Sequence, residues 1–287
     1  MMTTEPLRRN WTIEPGPRAS LTVRALRLRA RLTKRVPAPA HRWLELPQRA
    51  GAWTCWFVFL PDGVLTSAHR FTLDRLRRLS GQLLVVCSTP DPTMIPAELA
   101  AAADALAWKD MPGFDFSAYA LGLHGIAEHA PGSDVLVLND SVYGPFVDLE
   151  PFRRDARWDL TGFTATANVE NHIQSYAFIL RDVTSTRMAA LASILPTGWA
   201  YDRFWDVVTA QETAFTRVAA RTMSIGAFRY APPGSVQDPT LGLAVALLDD
   251  GMPFLKRSLV GKLAHLDPDG HAAAALARLG HPSDANS

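Results

Sequence analysis

Apolar positions along this chain come in short, dense runs separated by turn residues. Val135 to Leu138 is one such run, bounded by Pro131-Gly132 before and Gly144-Pro145 after. Unbroken apolarity over so few residues predicts a strand buried on both faces of a parallel or mixed sheet. Residues 53 to 60, WTCWFVFL, and Leu83 to Val86 read the same way, and Tyr176 to Leu180 is a further apolar strand. Between them the period turns helical. A helix is predicted through about Phe71 to Leu79, ended by Gly81, and an alanine-rich one over Ala97 to Ala107. Another, capped near Ser117, continues through Ala120 to His129. Strand, helix, strand, helix predicts a doubly wound α/β layer. Residues Tyr201 to Arg221 look helical, and a short helix is expected around Gly251 to Lys256.

Leu21 to Val36 carries a different pattern. Leu21, Ala25, Leu28 and Leu32 recur at helical spacing beside a row of Arg24, Arg27, Arg31 and Arg35. A basic amphipathic helix lying on anionic lipid fits this, as does a solvated helix packed on the body. Pro37 and Pro39 then break the helix. Charge sharpens the contrast, because residues 1 to 50 hold eleven Arg or Lys against three Glu while the whole chain has a net charge of +1. The division that follows is a basic, partly mobile arm over 1–48, a main domain over 49–268, and a C-terminal helix with a disordered tail over 269–287. The arm's expected partner is an anionic membrane surface. A near-neutral chain argues against a nucleic-acid partner along its whole surface.

Cys55 and Cys87, the two cysteines, both lie in apolar runs and read as buried, reduced thiols. No apolar stretch approaches the roughly 18 residues of a membrane span, and the start of the chain lacks the apolar core of a signal peptide. The expected location is cytoplasmic, peripheral at the inner face of the cell membrane.

The chemistry concentrates where strands end. Asn139, Asp140 and Ser141 follow the Val135–Leu138 strand at once, and in open α/β sheets ligands bind beyond the carboxyl ends of strands. An acceptor, a carboxylate and a hydroxyl held there suit a sugar nucleotide or its metal ion. They equally suit a turn that caps its own backbone. Asp115 is open in the same way, between a ligand-facing carboxylate and a helix cap. His172 and Gln174 lie two residues apart before a strand, and a lone histidine is often structural. Glu212 sits in an apolar, alanine-rich neighbourhood where burial would raise its pKa and make it a base. There is no Walker loop, no GxGxxG after a strand, no CxxC pair and no HExxH, which excludes P-loop, simple Rossmann and zincin chemistry.

Several stretches in order resemble the rhamnan synthesis protein F family, bacterial glycosyltransferase-like proteins of polysaccharide assembly. They are Gly113-Phe114-Asp115-Phe116 with Gly122-Leu123, Asn139-Asp140-Ser141 with Tyr143-Gly144-Pro145, and Asp159 with Thr161-Gly162. His172, Gln174, Ser175 and Tyr176 follow, then Phe204-Trp205, Glu212, and Gly251-Met252-Pro253-Phe254-Leu255-Lys256. The resemblance spans roughly residues 53 to 268. It implies a GT-A-like nucleotide-diphospho-sugar transferase fold, a mixed, mostly parallel sheet flanked by helices, similar in layout to inverting family 2 glycosyltransferases. The implied donor is dTDP-rhamnose or a similar nucleotide sugar, and the implied acceptor a glycan, growing on a lipid carrier.

The resemblance also implies roles. Glu212 takes the place of the base and His172 that of a donor to the diphosphate or the acceptor. Asp91, Asp115, Asn139, Asp140, Ser141, Gly162, Gln174 and Ser175 form the implied donor-binding set, with Asp140 holding Mg²⁺ or Mn²⁺. Three positions depart from the pattern. Met111 stands where the family has Asn, Ser141 where a second metal-binding Asp would fall, and Cys87 where a base-binding Asp is common. A nucleotide-sugar-binding protein without turnover, and a scaffold recruited to the membrane by its basic arm, are the alternatives from other classes.

Overall fold

The computed structural model describes residues 7–282. In chain order its strands are β1 (Arg8–Thr12), β2 (Arg35–Pro37), β3 (His41–Glu45), β4 (Ala52–Phe59), β5 (Gln82–Ser88), β6 (Ala105–Lys109) and β7 (Ser133–Asn139). There follow β8 (Val142–Tyr143), β9 (Leu160–Thr166), β10 (His172–Ile173), β11 (Ala177–Val183), β12 (Trp199–Tyr201), β13 (Ile225–Ala231) and β14 (Leu255–Lys256). One ten-stranded sheet runs β1-β13-β9-β11-β7-β4-β5-β6-β3, with β10 paired to β9. Its centre, β6-β5-β4-β7, is parallel throughout. Next to it β11 runs antiparallel to both β7 and β9, and β13 returns parallel to β9. Two small ladders, β12 with β2 and β14 with β8, complete the pairing.

The unbroken apolar runs exist because both faces of the sheet are covered. Trp53, Cys55 and Phe57 of β4 join the core under the helix Phe114–His129, with Tyr119, Leu123 and Ile126. Their neighbours Trp56 and Val58 point the other way and pack with Leu73 and Leu76 of the helix Ser67–Leu76. The longer helix lies close to the sheet because Gly122 has no side chain; a Cβ there would meet Cys55 Sγ at 2.7 Å. Both cysteines are buried and unpaired, and burial pushes each thiol up to about 12.

Five expected elements differ in the structure. The alanine-rich helix stops at Ala102, and Ala105 to Lys109 form β6 instead. Alanine's helix propensity is only a few tenths of a kcal/mol per residue, and the parallel pairing of Leu84 to Ala105 through Ser88 to Lys109 overrides it. The helix expected to be capped at Ser117 begins earlier, at Phe114, where Gly113 takes a left-handed φ of 92°. The helix Ser67–Leu76 likewise starts earlier than predicted, because Thr66 caps it by accepting from His69 N. Residues 201–221 are not one helix: β12 is followed by a helical turn Phe204–Val207, a π-helical turn Val208–Glu212 and the helix Thr213–Ala219. The short helix expected at 251–256 is the strand β14.

Residues 7–48 are not a separate arm. β1 pairs with β13 at one edge of the sheet and β3 with β6 at the other. The helix Leu21–Thr33 between them buries Arg27 and Ala30. At the other end the helix His271–Arg278 packs Ala272 and Leu276 in a cluster with Tyr143 and Leu255. The tail expected to be disordered falls, from residue 283, outside the described residues, as do residues 1–6.

Candidate active site

The four parallel strands end together. Phe59, Ser88 and Lys109 are in register, and Asn139 lies beside Phe57. The Asn139 side-chain amide donates to Asp115 Oδ2 at 3.0 Å, and its Oδ1 accepts from Ser141 N at 3.0 Å and Ser141 Oγ at 2.6 Å. Asp115 stands in the first turn of the helix Phe114–His129, where Phe116 N donates to its Oδ1 at 3.0 Å. One oxygen thus serves the first turn of the helix and the other meets the strand end. Lys256, on β14, donates to Ser141 Oγ at 3.3 Å and rests over the Tyr176 ring.

Glu212 reaches the same place from the far side. Its Oε1 accepts from Ser175 N at 3.0 Å and Ser175 Oγ at 3.1 Å, while Tyr119 Oη donates to the Ser175 carbonyl at 2.9 Å. Among the described residues Glu212 Oε2 accepts no hydrogen bond. The π-helical turn that presents Glu212 is a distortion frequent at functional sites. Burial, and next the neighbouring Glu212 charge, raise the Asp115 carboxyl to about 6, with Lys256 opposing. Two carboxylates, an asparagine, two hydroxyls and an ammonium thus meet at the carboxyl end of β7.

Asp140 faces the other way. Its Oδ2 accepts from Phe59 N at 2.8 Å and lies 3.7 Å from His69 Nε2, while its carbonyl accepts from Arg257 Nη1 at 3.1 Å. Successive residues at a strand end alternate sides, so Asn139 and Ser141 face the cluster and Asp140 ties β7 to β4. Among the described residues no three of His, Cys, Asp and Glu converge as a metal-ligand set. Asp140 Oδ2 is held by a backbone amide, and among the described residues its Oδ1 accepts no hydrogen bond. Two side-chain cations stand nearby, Lys256 at Ser141 and Arg257 at the Asp140 carbonyl.

The structure does not bring the remaining predicted residues to this cluster. His172, buried on β10, has Nδ1 2.8 Å from the Glu170 carbonyl. Gln174 accepts from Thr164 Oγ1 at 2.7 Å and donates to Asp238 at 2.8 Å, pinning the segment after β13 to the sheet. Gly162 is in the middle of β9, where a Cβ would meet Ile173 Cβ at 2.7 Å. Asp91 is exposed and caps its own turn, accepting from Thr93 N at 2.8 Å and Thr93 Oγ1 at 2.5 Å; those bonds hold its pKa below the ordinary aspartate value.

Sequence reasoning assigned no role to Tyr119, Lys256 or Lys109. Lys109 is buried at the end of β6 and donates to the carbonyls of Asp110 at 2.8 Å and Pro112 at 2.5 Å, holding the loop that leads to Asp115. Burial lowers its pKa to about 8. A lysine closing an apolar strand was the available signal.

The model of the rhamnan synthesis protein F family matches residues 84–278. The chain belongs to that family, and its sheet is mixed and flanked by helices. No curated protein matches the sequence. Among solved structures, the chain is similar to 4-diphosphocytidyl-2C-methyl-D-erythritol synthase from Anaerococcus prevotii, at 13% identity over 69% of this chain and 96% of that one, with a TM-score of 0.40. It is similar to residues 1–349 of S. aureus TarS in complex with UDP-GlcNAc, at 15% identity over 62% of this chain and 58% of that one, TM-score 0.38. A putative nucleotide-diphospho-sugar transferase from Desulfovibrio desulfuricans matches at 12% identity over 76% of this chain and 95% of that one, TM-score 0.38.

Proposed function

We propose that this protein is a glycosyltransferase of bacterial surface polysaccharide synthesis, whether of lipopolysaccharide or capsule. In this reading it moves a sugar, with rhamnose the leading choice, from a nucleotide-diphospho-sugar to a glycan acceptor with inversion. The observation that carries the reading is the convergence of Asp115, Asn139, Ser141, Ser175, Glu212 and Lys256 beyond the carboxyl end of β7.

Inverting transfer needs a base for the acceptor hydroxyl and positive charge for the departing diphosphate. Glu212 is the base, with Oε1 held by Ser175 and Oε2 turned to the acceptor. Lys256 and Arg257 supply the charge in place of Mg²⁺ or Mn²⁺, and Asn139 and Ser141 orient the donor. His172 serves as a buried support in this scheme. Work on a lipid-linked acceptor places the protein at the cytoplasmic face of the membrane, and no helix among the described residues is long and apolar enough to cross one.

The test is a thermal-shift panel of dTDP-rhamnose and of UDP-, GDP- and CMP-sugars, with and without Mn²⁺. A donor at 100 times its Kd should stabilise the fold by roughly 2.7 kcal/mol. No shift with any donor removes the reading. The competing reading, binding without turnover, draws on Ser141 in the place of a second acid. It predicts the same shift but no sugar transfer in a coupled assay.

A further inference from the structure

We propose that the outward face of the helix Leu21–Thr33, together with the arginine-lined cleft beside it, docks this protein onto an anionic phospholipid bilayer. The helix is seated back to front for a globular protein. It buries Arg27 and Ala30, while Leu21, Leu28 and Leu32 are 79%, 57% and 74% exposed. At 3.6 residues per turn these three leucines and Ala25 share one stripe, with Arg24 and Arg31 along one flank and Arg29 along the other. A bare apolar stripe on a soluble surface marks a contact with something apolar.

The charge around the stripe selects the partner. Between this helix, residues 13–19 and the end of the helix Thr213–Ala219 lies a cleft of about 700 Å³ lined by Arg18, Arg24, Arg27, Arg31, Arg217 and Arg221. Glu170 is the one acid among its lining residues, and it is taken by Arg27 and by Arg217, the latter at 3.3 Å. Arg18, Arg24, Arg31 and Arg221 make no ion pair among the described residues. Guanidinium groups bind phosphate by their paired N–H donors, and apolar residues flanked by arginines are the composition of an interfacial helix. Trp205 and Phe204, 73% and 52% exposed, lie one turn before the π-helical turn that this helix packs against. Exposed tryptophan is enriched at membrane interfaces.

The helix is also bolted to the candidate site. Arg27 Nε donates to the Thr209 carbonyl at 2.9 Å, Nη2 donates to Thr213 Oγ1 at 2.8 Å, and the guanidinium makes a buried ion pair with Glu170. Thr209 and Thr213 bracket Glu212. A docked helix therefore holds Glu212 at a fixed height above the lipid, where a lipid-linked acceptor is confined. The proposal rests on the peripheral location given above and not on the transfer chemistry.

The test is co-sedimentation of the full chain with vesicles of phosphatidylcholine alone and of phosphatidylcholine mixed with phosphatidylglycerol, run beside the donor thermal-shift panel. Binding is expected only to the mixed vesicles. It should fall by about tenfold or more in the Leu21→Gln, Leu28→Gln, Leu32→Gln triple variant and in the Arg24→Gln, Arg31→Gln double variant. All these positions are exposed, so an unchanged Tm certifies the fold of each variant. Failure to bind mixed vesicles, equal binding to phosphatidylcholine alone, or undiminished binding by either variant overturns the proposal. So does stabilisation by inorganic phosphate without vesicle binding, which makes the cleft a site for a soluble anion. Failure of the unaltered chain to bind mixed vesicles, with an intact donor shift, refutes the docking surface and leaves the transferase reading standing.

Discussion

Asn139 donates its side-chain amide to Asp115 at 3.0 Å, joining the last residue of a central strand to the first turn of the helix that crosses it. This bond makes the two expected site elements a single unit. It also sets a carboxyl in a place where burial and the Glu212 charge oppose its ionisation.

The first consequence is a pH-dependent stability. The Asp115 carboxyl titrates at about 6 in the folded protein against an ordinary 3.8. Between those values the folded chain keeps a proton that the unfolded chain has released, so this group makes stability fall as pH rises through that window. Asp115→Asn removes the titration and keeps an acceptor for Phe116 N. Urea unfolding at a series of pH values should therefore show a flatter profile in the variant. An unchanged slope would mean that the carboxyl is not raised.

Glu212→Gln should lower kcat by about 10²–10⁴, the usual worth of a positioned base. The amide oxygen still accepts from Ser175, so donor affinity should stay within a few-fold of the parent. Turnover at the parent rate would remove Glu212 from the chemistry. Loss of donor binding along with turnover would make it a structural anchor of Ser175 instead.

Lys256→Met should weaken donor binding by about ten- to a hundredfold, the range expected when a charged hydrogen bond is lost. Donor binding by the unaltered protein should persist in excess chelator, because in the proposed scheme Lys256 and Arg257 supply the positive charge. Calorimetric titration with and without chelator decides this. Binding that disappears with chelator restores the divalent ion and returns attention to Asp140.

Gly162→Ala should cost about 1–3 kcal/mol, the typical penalty for overpacking a core, since its Cβ would stand 2.7 Å from that of Ile173. The donor's Kd should not change. A donor defect out of proportion to the fall in Tm would place Gly162 in the site after all.

Much of the sheet was legible because burial on both faces writes itself as unbroken apolar runs, as in 53–60 and 135–138. β6 was not, because its ALAWK continues an alanine series whose helical preference is local while its strand pairing is not. β1, with RRNWT, was hidden for the opposite reason: an edge strand with a single buried residue carries no apolar signature. In the cluster, strand position pointed to Asn139 and Ser141, and the helix start pointed to Asp115. It did not reveal that Asp140, between them, turns to Phe59, or that Gln174 spends both ends of its amide on Thr164 and Asp238. Side-chain direction at a strand end depends on partners far away in the chain. Lys256 meets Ser141 by the same kind of distant contact, which is why a lone basic residue after an apolar run gave no hint of its neighbour.

Both margins of the sheet come from the first 45 residues, β1 against β13 and β3 against β6. During synthesis this segment emerges before its partners and must wait for them, and Arg8 cannot pair until Tyr230 has emerged. Ladders closed over such separations form slowly. Until then the central strands present open hydrogen-bonding edges that invite pairing with other chains. Cutting away residues 1–48 to obtain a smaller domain would make that transient state permanent, so the truncated chain should aggregate where the full chain folds.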